Sequence, residues 1–154
     1  MPAFARVTAG LPQRPRPAVP PGARRRVVAV VAAGGVVGSL ARWAVLVGLP
    51  TQPGRFPWGT FWVNVSGSLV LGFVLVLLAE RFPHAHRARP LLATGVLGAY
   101  TTFSTLSMEA VLLVRDHHAV TAGAYVLFSL AAGLLAVWAG LLIGRRTVHT
   151  ASGQ

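Results

Sequence analysis

Four long apolar segments decide what this chain can fold into. A helix needs about 20 residues to cross the roughly 30 Å hydrocarbon core of a membrane, and four segments of that length occur in the 154 residues. Two of them carry no charge, the first carries only Arg42, and the third only Glu109. The sequence therefore predicts an all-α membrane protein with four transmembrane helices, and its short connections leave no room for a soluble catalytic domain. The predicted spans are Val27–Gly48, Gly59–Ala79, Leu91–Val114 and Ala119–Gly144.

The first 26 residues differ from the rest. They hold six of the eleven prolines and six of the fourteen arginines, and they have almost nothing to bury. We expect a disordered tail over residues 1–26, a four-helix transmembrane domain over residues 27–144, and a short C-terminal tail over residues 145–154. Over the whole chain, charged residues make up only 11%, whereas a soluble domain has about 25%.

The arginines are distributed unevenly about the predicted spans. Six lie in the tail, three in the second loop and two at the C-terminus, all on one side, and the opposite side has two. The positive-inside rule then puts both termini in the cytoplasm, in a multi-pass protein of the inner (plasma) membrane surrounded by lipid. The net charge of +11 does not indicate nucleic-acid binding, because prolines separate the arginines of the tail.

Few residues are available for catalysis. There is no cysteine, only three acidic residues occur, and the five histidines all lie outside the apolar segments. No ATP motif, metal cluster or nucleophile–base pair is present, so we predict that the chain is not an enzyme. The pair His117–His118 is expected to be solvated in a loop.

Polar and small residues recur at helical spacing within the first two spans. Gly34 and Gly38 are one turn apart, which lets another helix approach closely. Arg42 follows on the same face, and it either reaches the headgroups with its long side chain or lines an aqueous vestibule for anions. Asn64 and Ser68 form a polar stripe in the second span. Asn64 either bonds a neighbouring helix or donates to a permeating anion, and its spacing leaves both open.

The third span is unusual. Six hydroxyl-bearing residues occur between Gly98 and Ser107, near the middle of the membrane. This density favours a broken helix whose freed backbone lines a cavity or an ion site. Glu109 follows and must face water or a partner, because an ionised carboxylate facing lipid is too costly. In the fourth span, Tyr125 and Ser129 form a thinner polar stripe that helix packing explains.

Together these segments resemble the CrcB/Fluc family of fluoride channels over about residues 27–144. The hydroxyl-rich stretch in the third span is the most specific part of the resemblance. The matching pieces are Gly34-Gly35-x-x-Gly38-x-x-x-Arg42, Gly59-Thr60-x-x-Val63-Asn64-x-x-Gly67-Ser68, and Gly95-x-x-Gly98-x-x-Thr101-Thr102-Phe103-Ser104-Thr105.

The resemblance implies an antiparallel dimer with two narrow fluoride pathways and a central structural sodium ion. The carbonyls of Gly98 and Thr101 would hold the sodium. Asn64 would donate to fluoride, and Phe103 would present its positive ring edge to the anion. The other implied pathway residues are Arg42, Ser104, Thr105, Glu109, Tyr125 and Ser129.

One residue departs from the family pattern, and it leaves alternatives open. Leu106 stands where the family usually has a second phenylalanine, so one ring contact is missing. The chain is therefore either a conducting channel or a non-conducting or weakly conducting subunit of a heterodimer, and the partner is either a second copy or a homologous chain. A small multidrug exporter is a third reading, but such exporters need an acidic residue, usually in the first span, where this chain has Arg42.

Overall fold

A computed structural model of the chain describes residues 21–82, 85 and 87–151. In these residues all regular structure is helical, and four segments are long and apolar enough to cross a membrane, which confirms the prediction. The helices are α1 (Pro21–Gly48), α2 (Trp58–Val76, continued by the π-helical turn Leu77–Arg81), α3 (the π-helical segment Pro90–Leu97 followed by the α-helical turn Gly98–Tyr100), α4 (Phe103–Arg115) and α5 (Ala119–Ala151).

Helices α1 and α5 are longer than predicted at the ends that carry arginine. Helix α1 begins at Pro21, six residues before the predicted start at Val27, and α5 continues past Gly144 to Ala151. The structure is therefore helical over residues 21–26 and 145–151, where the sequence led us to expect tails. The apolar segments show where the hydrocarbon core ends, but a helix can continue beyond it. Arginine is a good helix former and proline is accepted in the first turn of a helix. The rest of both predicted tails, residues 1–20 and 152–154, lies outside the described residues.

Helices α2 and α5 pack closely because glycines line their contact. A Cβ on Gly72 would strike the Val137 carbonyl of α5, and a Cβ on Gly140 would strike the Leu69 carbonyl of α2. The two backbones therefore touch where side chains would normally separate them, as in other small-residue contacts between transmembrane helices.

Helix α1 packs against α3 in the same way. A Cβ on Gly34 would lie 2.6 Å from the Leu91 carbonyl oxygen, and a Cβ on Gly38 would strike the Val96 carbonyl. This close contact confirms the approach predicted from the spacing of the two glycines. It fixes α3, and with it the polar stretch that follows, against α1.

The buried apolar cluster lies between α4 and α5. It contains Leu106, Leu113, Ala122 and Tyr125, and Tyr125 has no exposed surface. The ring of Phe56, from the loop before α2, packs edge-on against Tyr125 with centroids 5.2 Å apart. Many other large apolar side chains are exposed on the outside of the bundle, as expected for a surface that faces lipid.

A tight turn joins α4 to α5. The His117 N–H donates to the Val114 carbonyl and the His118 N–H donates to the Leu113 carbonyl, which closes the end of α4. His117 has a φ of 65°, the left-handed conformation typical of such helix ends. Both histidines are exposed, as predicted.

Candidate functional site

The third span is interrupted at Thr101 and Thr102, between α3 and α4. Both residues have extended backbone, with ψ angles of 154° and 112°. The Thr102 side chain caps α4, because its Oγ1 accepts a hydrogen bond from the Thr105 N–H at 3.1 Å and donates to Thr105 Oγ1 at 2.9 Å. Threonine is a favoured residue at this capping position, so the hydroxyl-rich sequence itself supports the start of a new helix here.

Asn64 of α2 reaches across to the interruption and bonds its backbone twice. Its Nδ2 donates to the Thr102 carbonyl at 3.1 Å, and its Oδ1 accepts from the Thr102 N–H at 2.8 Å. Two roles were left open for Asn64, and the structure shows the first of them, a hydrogen bond to the neighbouring span. The amide nitrogen has a second N–H, and Asn64 also lines a groove.

Two backbone carbonyls at the interruption lack the partners that an unbroken helix would give them. In such a helix the Thr102 N–H would donate to the Gly98 carbonyl and the Thr105 N–H to the Thr101 carbonyl. Here both N–H groups donate elsewhere, to Asn64 Oδ1 and to Thr102 Oγ1. Backbone carbonyl oxygens are suitable ligands for an alkali cation, so Gly98 and Thr101 fit the sodium site that the resemblance implies.

A groove of about 360 Å³ runs beside the interruption, between α2, α4 and α5. Ser129 lines it with a side chain that is only 4% exposed, and its Oγ has no hydrogen-bond partner among the described residues. A buried hydroxyl normally finds a partner, so this one is unusual. The polar and aromatic residues on the groove wall are Asn64, Ser68, Thr101, Thr102, Phe103 and Ser129.

Phe103 and Leu106, three residues apart on α4, are in different environments. Phe103 is 72% exposed, and Leu106 is 5% exposed and belongs to the buried cluster, yet both line the groove. Ser104 is exposed and its Oγ lies 3.3 Å from Thr102 Oγ1, while Thr105 is half-buried within the same cap. Of the predicted residues of the third span, Gly98, Thr101, Phe103, Ser104 and Thr105 are therefore grouped around the interruption.

Glu109 lies in a cluster of hydroxyl donors. Its Oε1 accepts from Thr60 Oγ1 at 3.1 Å and from Thr51 Oγ1 at 3.4 Å, and its Oε2 accepts from Tyr125 Oη at 2.7 Å. The carboxylate thus faces partners, as expected for an acid in a membrane span. Thr51 and Thr60 were not predicted as site residues. Thr60 precedes Asn64 by four residues, so the α2 stripe could have been extended to it.

Arg42 lies apart from these groups. It is half-buried on α1, and among the described residues it lines neither the groove nor the Glu109 cluster. The structure thus brings together Asn64, Phe103 and Ser129, and separately Glu109 and Tyr125, but it leaves Arg42 outside both sets.

Four helices long and apolar enough to span a membrane, with a groove beside the interrupted third span, define a multi-pass membrane protein of the inner membrane. The chain belongs to the family of CrcB-like, or camphor resistance (CrcB), proteins, which its residues 29–141 match. Family membership rules out the multidrug-exporter alternative.

Relatives in this family carry a functional name. The chain is 44% identical over 121 residues to "Fluoride-specific ion channel FluC 1" of Mycolicibacterium paratuberculosis, which covers 79% of this chain and 92% of the relative. It is 49% identical over 100 residues to "Fluoride-specific ion channel FluC 2" of Streptomyces avermitilis, covering 65% and 63%. It is 38% identical over 122 residues to "Fluoride-specific ion channel FluC" of Rhizobium meliloti, covering 79% and 98%.

Proposed function

We propose that this chain is a subunit of a fluoride-specific ion channel that lets fluoride leave the cytoplasm passively. The observation that carries the proposal is the Ser129 hydroxyl, which is buried in the groove wall and has no hydrogen-bond partner in the described part of the chain. A buried donor without a partner is costly, and a permeating anion would provide the missing acceptor. The names of the relatives support fluoride as that anion.

The polar and aromatic groups on the groove wall have the chemistry that a small, strongly hydrated anion requires. Fluoride must exchange its water shell for hydrogen-bond donors and weakly positive groups. Ser129 supplies a hydroxyl, Asn64 supplies the N–H that does not bond Thr102, and Phe103 supplies the positive edge of an exposed ring. These groups are neutral, so fluoride is bound weakly enough to be released, whereas a cluster of fixed arginines would hold it.

The Glu109 cluster is consistent with a continuation of this path. Three hydroxyls, from Thr51, Thr60 and Tyr125, donate to the carboxylate. They offset part of its negative charge, which reduces its repulsion of an anion nearby. Arg42, half-buried on α1, would act only as a vestibule cation at a distance from the groove.

The functional unit proposed is an antiparallel dimer with two pathways and a structural sodium ion between the subunits. In each subunit the carbonyls of Gly98 and Thr101 would hold the ion, and Gly98 is exposed, as a contact with a second subunit requires. When bound, sodium would place a positive charge near both pathways and favour anion entry.

The charge bias favours a particular partner. An antiparallel homodimer requires the same sequence to insert in both orientations, but eleven arginines lie on one side and two on the other. Such a bias fixes one orientation, which favours a heterodimer with a homologue of opposite charge bias. Reporters fused to the C-terminus test this, and we expect signal on the cytoplasmic side alone. Comparable signal on both sides, with full fluoride efflux from the lone chain, would leave the homodimer as the functional unit.

The proposed function can be tested in a bacterial strain that lacks its own fluoride channel. Expression of this chain should restore growth in fluoride if two copies form the channel, and its expression with a homologous subunit should do so if the channel is a heterodimer. The matched control is Asn64→Asp, which keeps an acceptor for the Thr102 N–H but replaces the donor to the groove with a negative charge. It should fail to restore growth at the same level of protein in the membrane. No rescue by the wild type either alone or together with a homologous subunit, or equal rescue by Asn64→Asp, would refute the proposal.

A further inference from the structure

The interruption of the third span is maintained by side chains, and each of them binds a particular N–H group. An unbroken helix would use the Thr102 N–H to bond the Gly98 carbonyl and the Thr105 N–H to bond the Thr101 carbonyl. Asn64 Oδ1 binds the first N–H at 2.8 Å, and Thr102 Oγ1 binds the second at 3.1 Å. The Thr102 and Thr105 N–H groups are thus two of those withdrawn from the helix, and they are the ones that would otherwise occupy the two carbonyls of the proposed sodium site.

We infer that Asn64 and Thr102 are positioning residues for sodium, because they keep the Gly98 and Thr101 carbonyls free to bind the ion. The inference rests on the proposed sodium site and adds the groups that maintain it. Neither side chain is required to touch the ion. Each acts through the N–H group that it binds.

The membrane environment increases the effect that Asn64 and Thr102 have on the two carbonyls. An N–H group that loses its partner in hydrocarbon must find another one. Without the Asn64 acceptor, the nearest helical partner for the Thr102 N–H is the Gly98 carbonyl, four residues back. Without the Thr102 hydroxyl, the nearest helical partner for the Thr105 N–H is the Thr101 carbonyl, which is also four residues back. Loss of either side chain therefore favours closing the helix over one carbonyl ligand.

The surroundings of Gly98 also leave room for a sodium ion next to its backbone. A Cβ on Gly98 would meet only the Ala93 carbonyl oxygen, at 3.7 Å, and the residue is exposed. The backbone at Gly98 is therefore accessible from outside this subunit. Asn64 lines the groove as well, so a single side chain links the proposed anion path to the proposed cation site.

The test measures sodium binding by its effect on stability, independently of fluoride transport. The full-length protein is purified in detergent without fluoride, and its thermal unfolding is followed by circular dichroism as sodium chloride replaces N-methyl-D-glucamine chloride at constant ionic strength. A ligand that binds only the folded state raises the unfolding temperature. The sodium concentration that gives half of the rise is compared between variants.

Asn64→Leu removes both bonds to Thr102 at similar volume. We expect the sodium concentration at its midpoint to rise at least tenfold, because loss of a residue that orients metal ligands usually lowers metal affinity by about 10- to 100-fold. Ser129→Ala is the matched control, because Ser129 lines the same groove without bonding the interruption, and its midpoint should stay within twofold of the wild type. Thr102→Val tests the second carbonyl and should raise the midpoint by a similar factor.

These variants distinguish the outcomes. An unchanged sodium midpoint in folded Asn64→Leu overturns the role of Asn64. If Asn64→Leu cannot be recovered folded, Thr102→Val decides, and an unchanged sodium midpoint in that variant overturns the inference. An equal rise in Ser129→Ala would show a general loss of packing around the groove and would also overturn it. A wild type without any sodium response overturns the sodium site and this inference together, but not fluoride conduction, which is measured separately by efflux.

Discussion

Ser129→Ala should make the protein more stable and a poorer channel at the same time. The Ser129 side chain is 4% exposed and its Oγ has no partner in the described part of the chain. An unsatisfied buried hydroxyl costs about 1–3 kcal/mol, and alanine removes this cost without adding volume. For a chain of this size, each kcal/mol raises the unfolding temperature by roughly 2–4 °C.

The same substitution removes a donor from the proposed fluoride path. A hydrogen bond to a charged partner contributes about 1.5–3 kcal/mol. If that bond is made at the slowest point of passage, its loss slows fluoride efflux by roughly 10- to 100-fold. Stability and efflux should therefore change in opposite directions. Thermal unfolding in detergent and efflux from liposomes measure the two quantities on one protein preparation.

Ser66→Ala is the control for this prediction. The Ser66 hydroxyl donates to the Trp62 carbonyl at 2.6 Å and lies 3.0 Å from Tyr100 Oη, so its removal breaks existing bonds and should lower the unfolding temperature. A Ser129→Ala protein that is less stable than wild type, with unchanged efflux, would refute the reasoning. It would mean that the Ser129 hydroxyl has a structural partner and no role in transport.

Four further substitutions, with one control, test other parts of the structure. Gly140→Ala should destabilise by about 1–3 kcal/mol, because a Cβ would overpack the α2 backbone, while Gly123→Ala on the same helix has open space and should not destabilise in the same melting assay. His117→Gly should stabilise by about 1 kcal/mol, because glycine adopts the observed φ of 65° without strain. Phe103→Ile should strongly slow fluoride efflux, since it removes the ring edge at similar volume. Leu106→Phe should leave efflux unchanged or raise it, and a large fall would mean that the groove is packed around leucine.

The apolar pattern predicted the helices well, because membrane thickness sets their length directly. The start of the second span, predicted at Gly59, is observed at Trp58, and the fourth span starts at Ala119 as predicted. Where arginine replaces apolar residues, hydropathy no longer predicts whether the chain is helical. The extensions of α1 back to Pro21 and of α5 to Ala151 were therefore missed.

Local spacing drew attention to only part of the proposed site, and the family resemblance supplied the roles of its residues. The four-residue repeat marked Asn64 as polar and inward-facing, and the run of hydroxyls marked the third span as unusual. The bonds between Asn64 and Thr102 join residues 38 positions apart, and such pairings depend on how α2 and α3 pack. The missing partner of Ser129 is likewise a property of the assembled bundle, which no pattern within α5 could reveal.

The most direct test of the central proposal is ion efflux from liposomes that contain the purified chain. The liposomes are loaded with potassium fluoride or potassium chloride, valinomycin balances the charge, and an ion-selective electrode records the anion released. A fluoride channel predicts rapid loss of fluoride and retention of chloride, with fluoride loss abolished in Asn64→Asp. Retention of fluoride both by the folded chain alone and by the chain mixed with a homologous subunit, or loss of chloride as fast as fluoride, would contradict the proposal.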